Sequence, residues 1–400
     1  MTGQSQTKDG GVCMTSQDAL SIAQQLIRFP SVTPHDGGAL GHIANMLQQA
    51  GFQTQALRFS QSGTPDIDNL YARIGTGAPY LLFAGHTDVV PVGDASQWRF
   101  DPFSAQIADD MLWGRGACDM KGGLACALAA VLSYVQKHGT PQGSIGFLLT
   151  GDEEGPAING TVKLLEWAHA QGERFDHCIL GEPTNPEHLG DMIKIGRRGS
   201  LSGGLVVHGR QGHVGYPHLA DNPIHHILRI MSHVLASPLD QGTAHFDPSN
   251  LEFTSIDVGN PATNVIPAEA RTRFNIRFND VWTPESLAAH IRERVAAVAG
   301  AARYTLSFDP TNALAFLTKP GPFVDMIAQA IEAETGRTPV LSTTGGTSDA
   351  RFIKSYCEVV EFGLVGQTMH MVDERVPVGD FAHLAKIYER IIASYFKTSL

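Results

Sequence analysis

Two adjacent glutamates, Glu153 and Glu154, follow the apolar run Ser144-Ile145-Gly146-Phe147-Leu148-Leu149 and precede a Gly-Pro turn. A run of that length and composition reads as a buried strand, and the Gly-Asp and Gly-Pro dipeptides around the acids read as a turn. The pair therefore sits at the carboxyl end of a core strand, where open α/β sheets place their ligands. Neighbouring side chains at such a bend point in different directions, so one carboxylate can hold a metal while the other moves protons. Alone, Asp152-Glu153-Glu154 reads first as a solvated acidic turn. Other residues change that reading.

Four further places offer a ligand at a strand end or in the loop beyond it. His86 follows the strand Leu81 to Gly85, and Asp88, two residues on, either fixes the imidazole from behind or caps a turn. Asp119 lies in the glycine-rich stretch Gly114 to Gly123, where it can cap the following helix or bind an ion. Glu182 leaves the strand His177 to Gly181, and His370 lies in the loop after the strand Glu358 to Gly363. Together they supply two imidazoles and three carboxylates, with Glu153 left over. Two Zn²⁺ ions carry +4, against −3 from Asp119, Glu154 and Glu182, and an activated water supplies the remainder. If Asp119 bridges, each ion receives one His, one terminal carboxylate and the shared Asp, and keeps room for water or substrate. That set suits two-metal hydrolysis of an amide, in which Glu153 takes the proton of the attacking water and delivers it to the leaving amine.

Composition excludes several alternatives. The chain of 400 residues suggests two or three domains. A formal charge of −11 without long basic runs argues against nucleic acid as a partner. Residues 1–15 are polar, lack the apolar segment of a secretory signal and read as a loose extension. The longest apolar helical run, Leu124 to Leu132, is too short to span a bilayer, so no membrane contact is expected. Five cysteines, odd in number and without a C-x-x-C pair, fit reduced thiols in a cytoplasmic protein.

From Tyr80 the pattern alternates strands (Leu81 to Gly85, Ile145 to Leu149, His177 to Gly181) with helices (Lys121 to Lys137, Thr161 to Ala170), which predicts a mostly parallel, helix-covered sheet. After Gly196 the order becomes strand Leu201 to His208, helix Asn222 to Leu235, strands Leu251 to Val258 and Ala270 to Phe278, helix Pro284 to Ala299 and strand Tyr304 to Phe308. That βαββαβ order is ferredoxin-like. This insert carries ten arginines and no lysine against ten acidic residues, so the whole net charge lies outside it. Beyond Pro310 the α/β rhythm resumes. The expected division is an α/β catalytic domain of residues 16–196 and 310–400, interrupted by an α+β lid of residues 197–309.

The motifs Gly85-His86-Thr87-Asp88-Val89-Val90-Pro91, Arg115-Gly116-Ala117-Cys118-Asp119-Met120-Lys121-Gly122, Asp152-Glu153-Glu154 and Gly181-Glu182-Pro183-Thr184 resemble those of the dinuclear zinc aminoacylase and carboxypeptidase family. The resemblance runs from about Ser16 to the C-terminus. It implies a zinc-peptidase-like α/β domain interrupted by a ferredoxin-like lid and dimerisation domain. It also implies two Zn²⁺ per subunit, for which Co²⁺ can substitute, and a homodimer acting on a small molecule. His86 and Glu182 would hold one ion, Glu154 and His370 the other, and Asp119 would bridge them. Glu153 would be the general acid/base and Asp88 the partner of His86.

The lid narrows the substrate. Gly196-Arg197-Arg198-Gly199-Ser200, Gln211 to His218, Thr263 to Pro267 and Gly345 to Arg351 resemble family members that cleave a succinyl amide. Such an amide carries a distal carboxylate, for which arginine is the suited side chain, and Arg197, Arg198 and Arg277 are available. His213 is a candidate donor to the oxyanion; in the family it reaches the partner subunit's active site, and Asn264 joins it. Ser200, Tyr216, Gly346 and Thr347 would contact substrate. A sibling amidohydrolase such as an acetylornithine deacetylase, and a binding protein without catalysis, are the other readings.

Overall fold

The computed structural model describes residues 18–399; the expected extension 1–15, with Cys13, lies outside them. The largest sheet has eight strands in the order Gln53–Phe59, Ile67–Gly75, Ser144–Thr150, Tyr80–His86, His177–Leu180, Glu358–Glu361, Met192–Lys194, Val340–Ser342. The four strands from Ser144–Thr150 to Glu358–Glu361 are mutually parallel. Their carboxyl ends therefore share one edge.

Most residues of these central strands are apolar because both faces are covered, the two ends of Glu358–Glu361 excepted. Side chains alternate across the sheet: Leu81 and Phe83 pack with Leu124, Leu128, Leu384 and Tyr388, and Leu82 and Ala84 pack on the other face with Leu164, Leu165 and Ala168. Each large side chain buried in this way contributes roughly 1.5–3 kcal/mol. Ala19–Ile27 and Val378–Phe396, whose Tyr388 also meets Phe83 of the sheet, flank the helix Lys121–His138, which is buried over most of its length. It lies so close to the sheet that a Cβ on Gly123 would stand 2.2 Å from the carbonyl oxygen of Gly181. That approach brings the loop before the helix, which carries Asp119, beside the strand end that carries Glu182.

The flanks depart from the parallel pattern expected from the sequence. Gln53–Phe59 and Ile67–Gly75 form an antiparallel pair, and Ile67–Gly75 also joins Ser144–Thr150 antiparallel. Glu358–Glu361 meets Met192–Lys194 antiparallel as well. The sheet is mixed, with a parallel centre.

A second, antiparallel sheet has the order Asn250–Asp257, Glu269–Phe278, Gly199–His208, Arg303–Phe308. Helices Pro223–Leu235 and Pro284–Ala299 cover one face, where Ile227, Ile230, Leu287 and Ile291 pack on Leu205, Phe274, Ile276 and Phe278. Arg271, Arg273, Asn275 and Arg277 alternate with these core residues and point to the open face. The chain enters and leaves this unit through adjacent segments: Gly196–Arg197 pairs antiparallel with Phe316–Leu317.

Asp240 fixes the loops at one end of the second sheet. Its carboxylate accepts from the backbone N–H groups of Gly242 and Ser249, from Asn279 Nδ2 and from Trp282 Nε1, at 2.7–3.2 Å. Burial alone would raise its pKa, but these hydrogen bonds outweigh it and hold the group at about 2. A depressed carboxylate contributes stability above its unfolded pKa near 3.8, and that stability is lost as pH falls toward 2. The stability gap between wild type and Asp240→Asn, read by thermal melts, should be full at pH 5–7 and narrow as pH falls through that window; a gap independent of pH would remove this role. Gly123→Ala should cost about 2 kcal/mol or more, since backbone cannot yield as a side chain does. An unchanged unfolding midpoint would show that helix and strand do not approach so closely.

Candidate metal centre

The shared edge of the parallel strands gathers His86, Asp88, Asp119, Glu153, Glu154, Glu182 and His370. Asp119 lies between the two imidazoles, with Oδ1 3.2 Å from His86 Nε2 and Oδ2 3.1 Å from His370 Nε2. His370 Nε2 is also 3.0 Å from Glu154 Oε1, and His86 Nε2 is 3.8 Å from Glu182 Oε1. Ligand atoms of His86, Asp119 and Glu154 lie within 4.8 Å of one another, as do those of His86, Glu153 and Glu182.

Local structure explains these positions. His86 ends the strand Tyr80–His86 and is fully buried. Its Nδ1 contacts the Asp88 carbonyl at 2.8 Å. A carbonyl only accepts, so Nδ1 carries the hydrogen and Nε2 faces the acidic cluster. The Asp88 carboxylate stands farther from this ring, at 3.5 Å. It accepts instead from Thr33 Oγ1 and from the backbone N–H groups of Glu153 (3.3 Å) and Glu154 (3.1 Å). Asp88 thus acts on the imidazole chiefly through its main chain, and its side chain holds the acidic turn. Asp152 secures the far side of that turn by accepting from Ile158 and Asn159 N–H. His370 is 48% exposed on its side chain and has a left-handed φ of +63°, a conformation that costs a non-glycine residue about 1–2 kcal/mol.

The electrostatics require a positive partner. Burial, then Asp119, pushes the Glu182 carboxyl well above the usual range despite opposition from His86, and Glu182 Oε1 has no hydrogen-bond partner. Burial likewise raises Glu153, with Asp349, Asp119 and Glu154 adding to it and His86 opposing. Burial would raise Asp119 too, but hydrogen bonds from His370 and His86 hold it below the carboxylate range. Those bonds push His370 up to about 10, and carboxylates raise His86 against the penalty of its burial. A buried carboxylate oxygen without a partner, in a mixed N/O set with one carboxylate facing both imidazoles, fits a pair of divalent cations.

The lid candidates divide into groups. Arg197 is buried and forks onto Glu361, while its NH1 reaches the carbonyls of Thr344 and Gly346 at 3.4 Å. It is engaged in an internal ion pair, and through it the loop bearing Gly346 and Thr347 is held in place. Ser348 also donates to Glu361. Ser200 stands opposite Arg277 on the open face of the second sheet and accepts from Asn275. Arg277 is half-buried, and burial together with the neighbouring Arg198 lowers its pKa. Tyr216 is 58% exposed, and its ring lies 5.7 Å from that of His213. The His213 segment pairs with Val265, next to Asn264. Among the described residues, no hydrogen bond or ion pair joins His213, Tyr216 or Asn264 to the carboxylate cluster.

Three residues at the centre carried no sequence signal. Thr33 reaches Asp88 across the fold, Glu361 lies within a strand that reads as core, and Glu374 follows His370 in a loop. Only proximity to a ligand in the chain could have singled out Glu374.

The description "Peptidase family M20/M25/M40" matches residues 82–394. A succinyl-diaminopimelate desuccinylase from Methylorubrum populi is 64% identical over 387 residues, covering 96% of this chain and 100% of that protein. Among solved structures, a Staphylococcus aureus tripeptidase superposes with a TM-score of 0.77 at 19% identity, covering 96% of this chain and 99% of its own. A Bacillus subtilis dinuclear metal-binding peptidase does so with 0.68 at 15%, covering 95% and 98%. The α/β body with its interrupting α+β unit is thus the fold of these peptidases, and the family match spans His86, Asp88, Asp119, Glu153, Glu154, Glu182 and His370. This chain belongs to Peptidase family M20/M25/M40.

Proposed function

We propose that the chain hydrolyses the amide of N-succinyl-L,L-diaminopimelate to succinate and L,L-diaminopimelate, on the route to lysine and cell-wall precursors. The observation that carries the chemistry is Asp119, with one oxygen against each imidazole, while Glu153 lies with His86 and Glu182. The near full-length relative bearing the desuccinylase name supports the choice of substrate.

In this reading His86 and Glu182 would hold one Zn²⁺, Glu154 and His370 a second, and Asp119 would be shared by both; Co²⁺ could replace Zn²⁺. When bound, the cations polarise the amide carbonyl and make water nucleophilic near neutral pH. Glu153 accepts the proton of the attacking water and returns it to the leaving amine. Its raised pKa suits both transfers. Asp88 keeps the Glu153–Glu154 turn and His86 in register.

The division into residues 16–196 with 310–400 and an interrupting 197–309 assigns recognition to the lid. Arg277, beside Arg198 and without a hydrogen-bonded carboxylate among the described residues, is free to meet the succinyl carboxylate, with Ser200 and Tyr216 near the same substrate. Arg197 acts by holding Gly346 and Thr347 against it. His213 and Asn264, which among the described residues make no hydrogen bond or ion pair to the cluster of their own chain, serve the partner subunit of a homodimer as oxyanion donors. The four described cysteines are unpaired, which supports a reducing, cytoplasmic setting. No described helix is long and apolar enough to cross a membrane, and the acidic balance gives no footing for nucleic acid.

Zinc-loaded protein should favour N-succinyl-L,L-diaminopimelate over N-acetylornithine in kcat/KM by at least about 100-fold, because a site built around the distal carboxylate of the acyl group rejects an acyl group lacking it. A chelator should abolish turnover. Preference for the acetyl compound would overturn the use of the arginines and leave the metal chemistry standing. Glu153→Gln should bind both cations and lose about 10²–10⁴-fold in kcat; near-normal turnover would remove Glu153 as the base.

A further inference from the structure

Glu374 is completely buried and lies four residues beyond His370. Its Oε1 accepts from the backbone N–H groups of Cys118 (2.9 Å) and Asp119 (3.2 Å) and from Cys118 Sγ (3.3 Å). Its Oε2 accepts from Gly116 N–H at 3.0 Å and from Arg115 NH1 at 2.7 Å. The Glu374 carbonyl accepts from Gly114 N–H at 2.9 Å. Arg115 reaches on to the carbonyls of Met371 (3.2 Å) and Pro91 (3.3 Å). One carboxylate and its arginine therefore tie three segments together: the Gly114–Asp119 loop, the His370–Glu374 loop and the chain just beyond His86.

Each segment carries a residue of the cluster. Three backbone donors from one loop, at Gly116, Cys118 and Asp119, converge on the carboxylate and make an anion-holding concavity. Here the anion is internal, so the loop's conformation depends on it. With the Asp119 N–H held, the direction of its Cα–Cβ bond is set, and its two oxygens meet His86 and His370 at nearly equal distances. Metal geometry tolerates errors of only about 0.5 Å. His370 itself sits at a backbone angle that persists only where surrounding contacts over-determine it.

We propose that Glu374 is a positioning residue that clamps the Gly116–Asp119 backbone to the His370 loop and so sets the bridging pose of Asp119. The proposal rests on the two-cation reading above. It assigns Glu374 unequal effects on the two positions. The one formed by Glu154 and His370 depends on both clamped loops, whereas His86 and Glu182 sit on strand ends and share only Asp119 with them.

The test titrates metal-free protein with Zn²⁺ by calorimetry, for wild type, Glu374→Gln and Glu374→Ala, and measures kcat, KM and the thermal midpoint of each. Wild type should take up two equivalents. In the variants one equivalent should bind within a few-fold of wild type and the other about 10–100-fold more weakly. Glu374→Gln, which keeps one acceptor oxygen, should be affected less than Glu374→Ala. At limiting Zn²⁺ kcat should fall while KM stays within about twofold. Unchanged affinity at both positions in a folded variant overturns the proposal, and so does equal weakening of both with a lowered midpoint, the signature of a purely structural ion pair with Arg115. Should Glu374→Ala fail to fold, the isosteric Glu374→Gln decides on the same criteria. A wild-type chain that takes up fewer than two equivalents defeats the two-cation reading itself, and the proposal with it.

Discussion

The structure is organised around one electrostatic constraint: several carboxylates share a small, mostly buried volume at the edge of a sheet. Burying charge without a partner is expensive, and like charges at this density raise the cost further. The fold meets the demand in layers. His86 and His370 each face the shared Asp119 carboxylate. Backbone N–H groups bond the Asp88 carboxylate and Asp152 Oδ2, while Asp152 Oδ1 has no partner among the described residues. One oxygen of Glu182 stays unmatched. The close helix approach at Gly123 and the left-handed backbone of His370 are both unfavourable conformational choices. They make sense as the cost of keeping that charge in one place.

Much of this centre was legible in the chain because its supports are local. Leu81 to Gly85, Ile145 to Leu149 and His177 to Gly181 stand out as short, mostly apolar runs, and His86, Glu153, Glu154 and Glu182 each follow one within a few residues. In the second sheet, Phe274, Ile276 and Phe278 alternate with polar residues, and the structure buries them against two helices as that period requires. What escaped notice depends on partners far away in sequence. Gln53–Phe59 is a polar edge strand with little apolar content, recognisable only beside Ile67–Gly75. Glu374 acts across more than two hundred residues of chain. Arg197 reads as a free guanidinium until Glu361 is placed against it.

The fate of Arg197 separates two kinds of arginine that composition alone treats as one. A guanidinium forked onto a buried carboxylate has spent its charge and geometry within the protein, and its remaining nitrogen fixes main-chain carbonyls. Arg198 and Arg277, neighbours of like sign on a partly buried surface, have not. An anion would relieve their repulsion, as the proposed recognition of the succinyl carboxylate requires, whereas the Arg197 charge is already matched by Glu361.

The pairing of Gly196–Arg197 with Phe316–Leu317 bears on how such a molecule can change over time. The second sheet leaves and rejoins the first through two hydrogen-bonded neighbours, so the host strands are brought together at the junction whether the intervening chain is long or short. Closing a loop between adjacent ends carries an entropy cost that grows only slowly with its length. The inserted unit can therefore lengthen, repack or exchange its surface residues without disturbing the register of the strands that carry the carboxylates. Inheritance can conserve one part and vary the other, with the boundary drawn by a two-residue ladder.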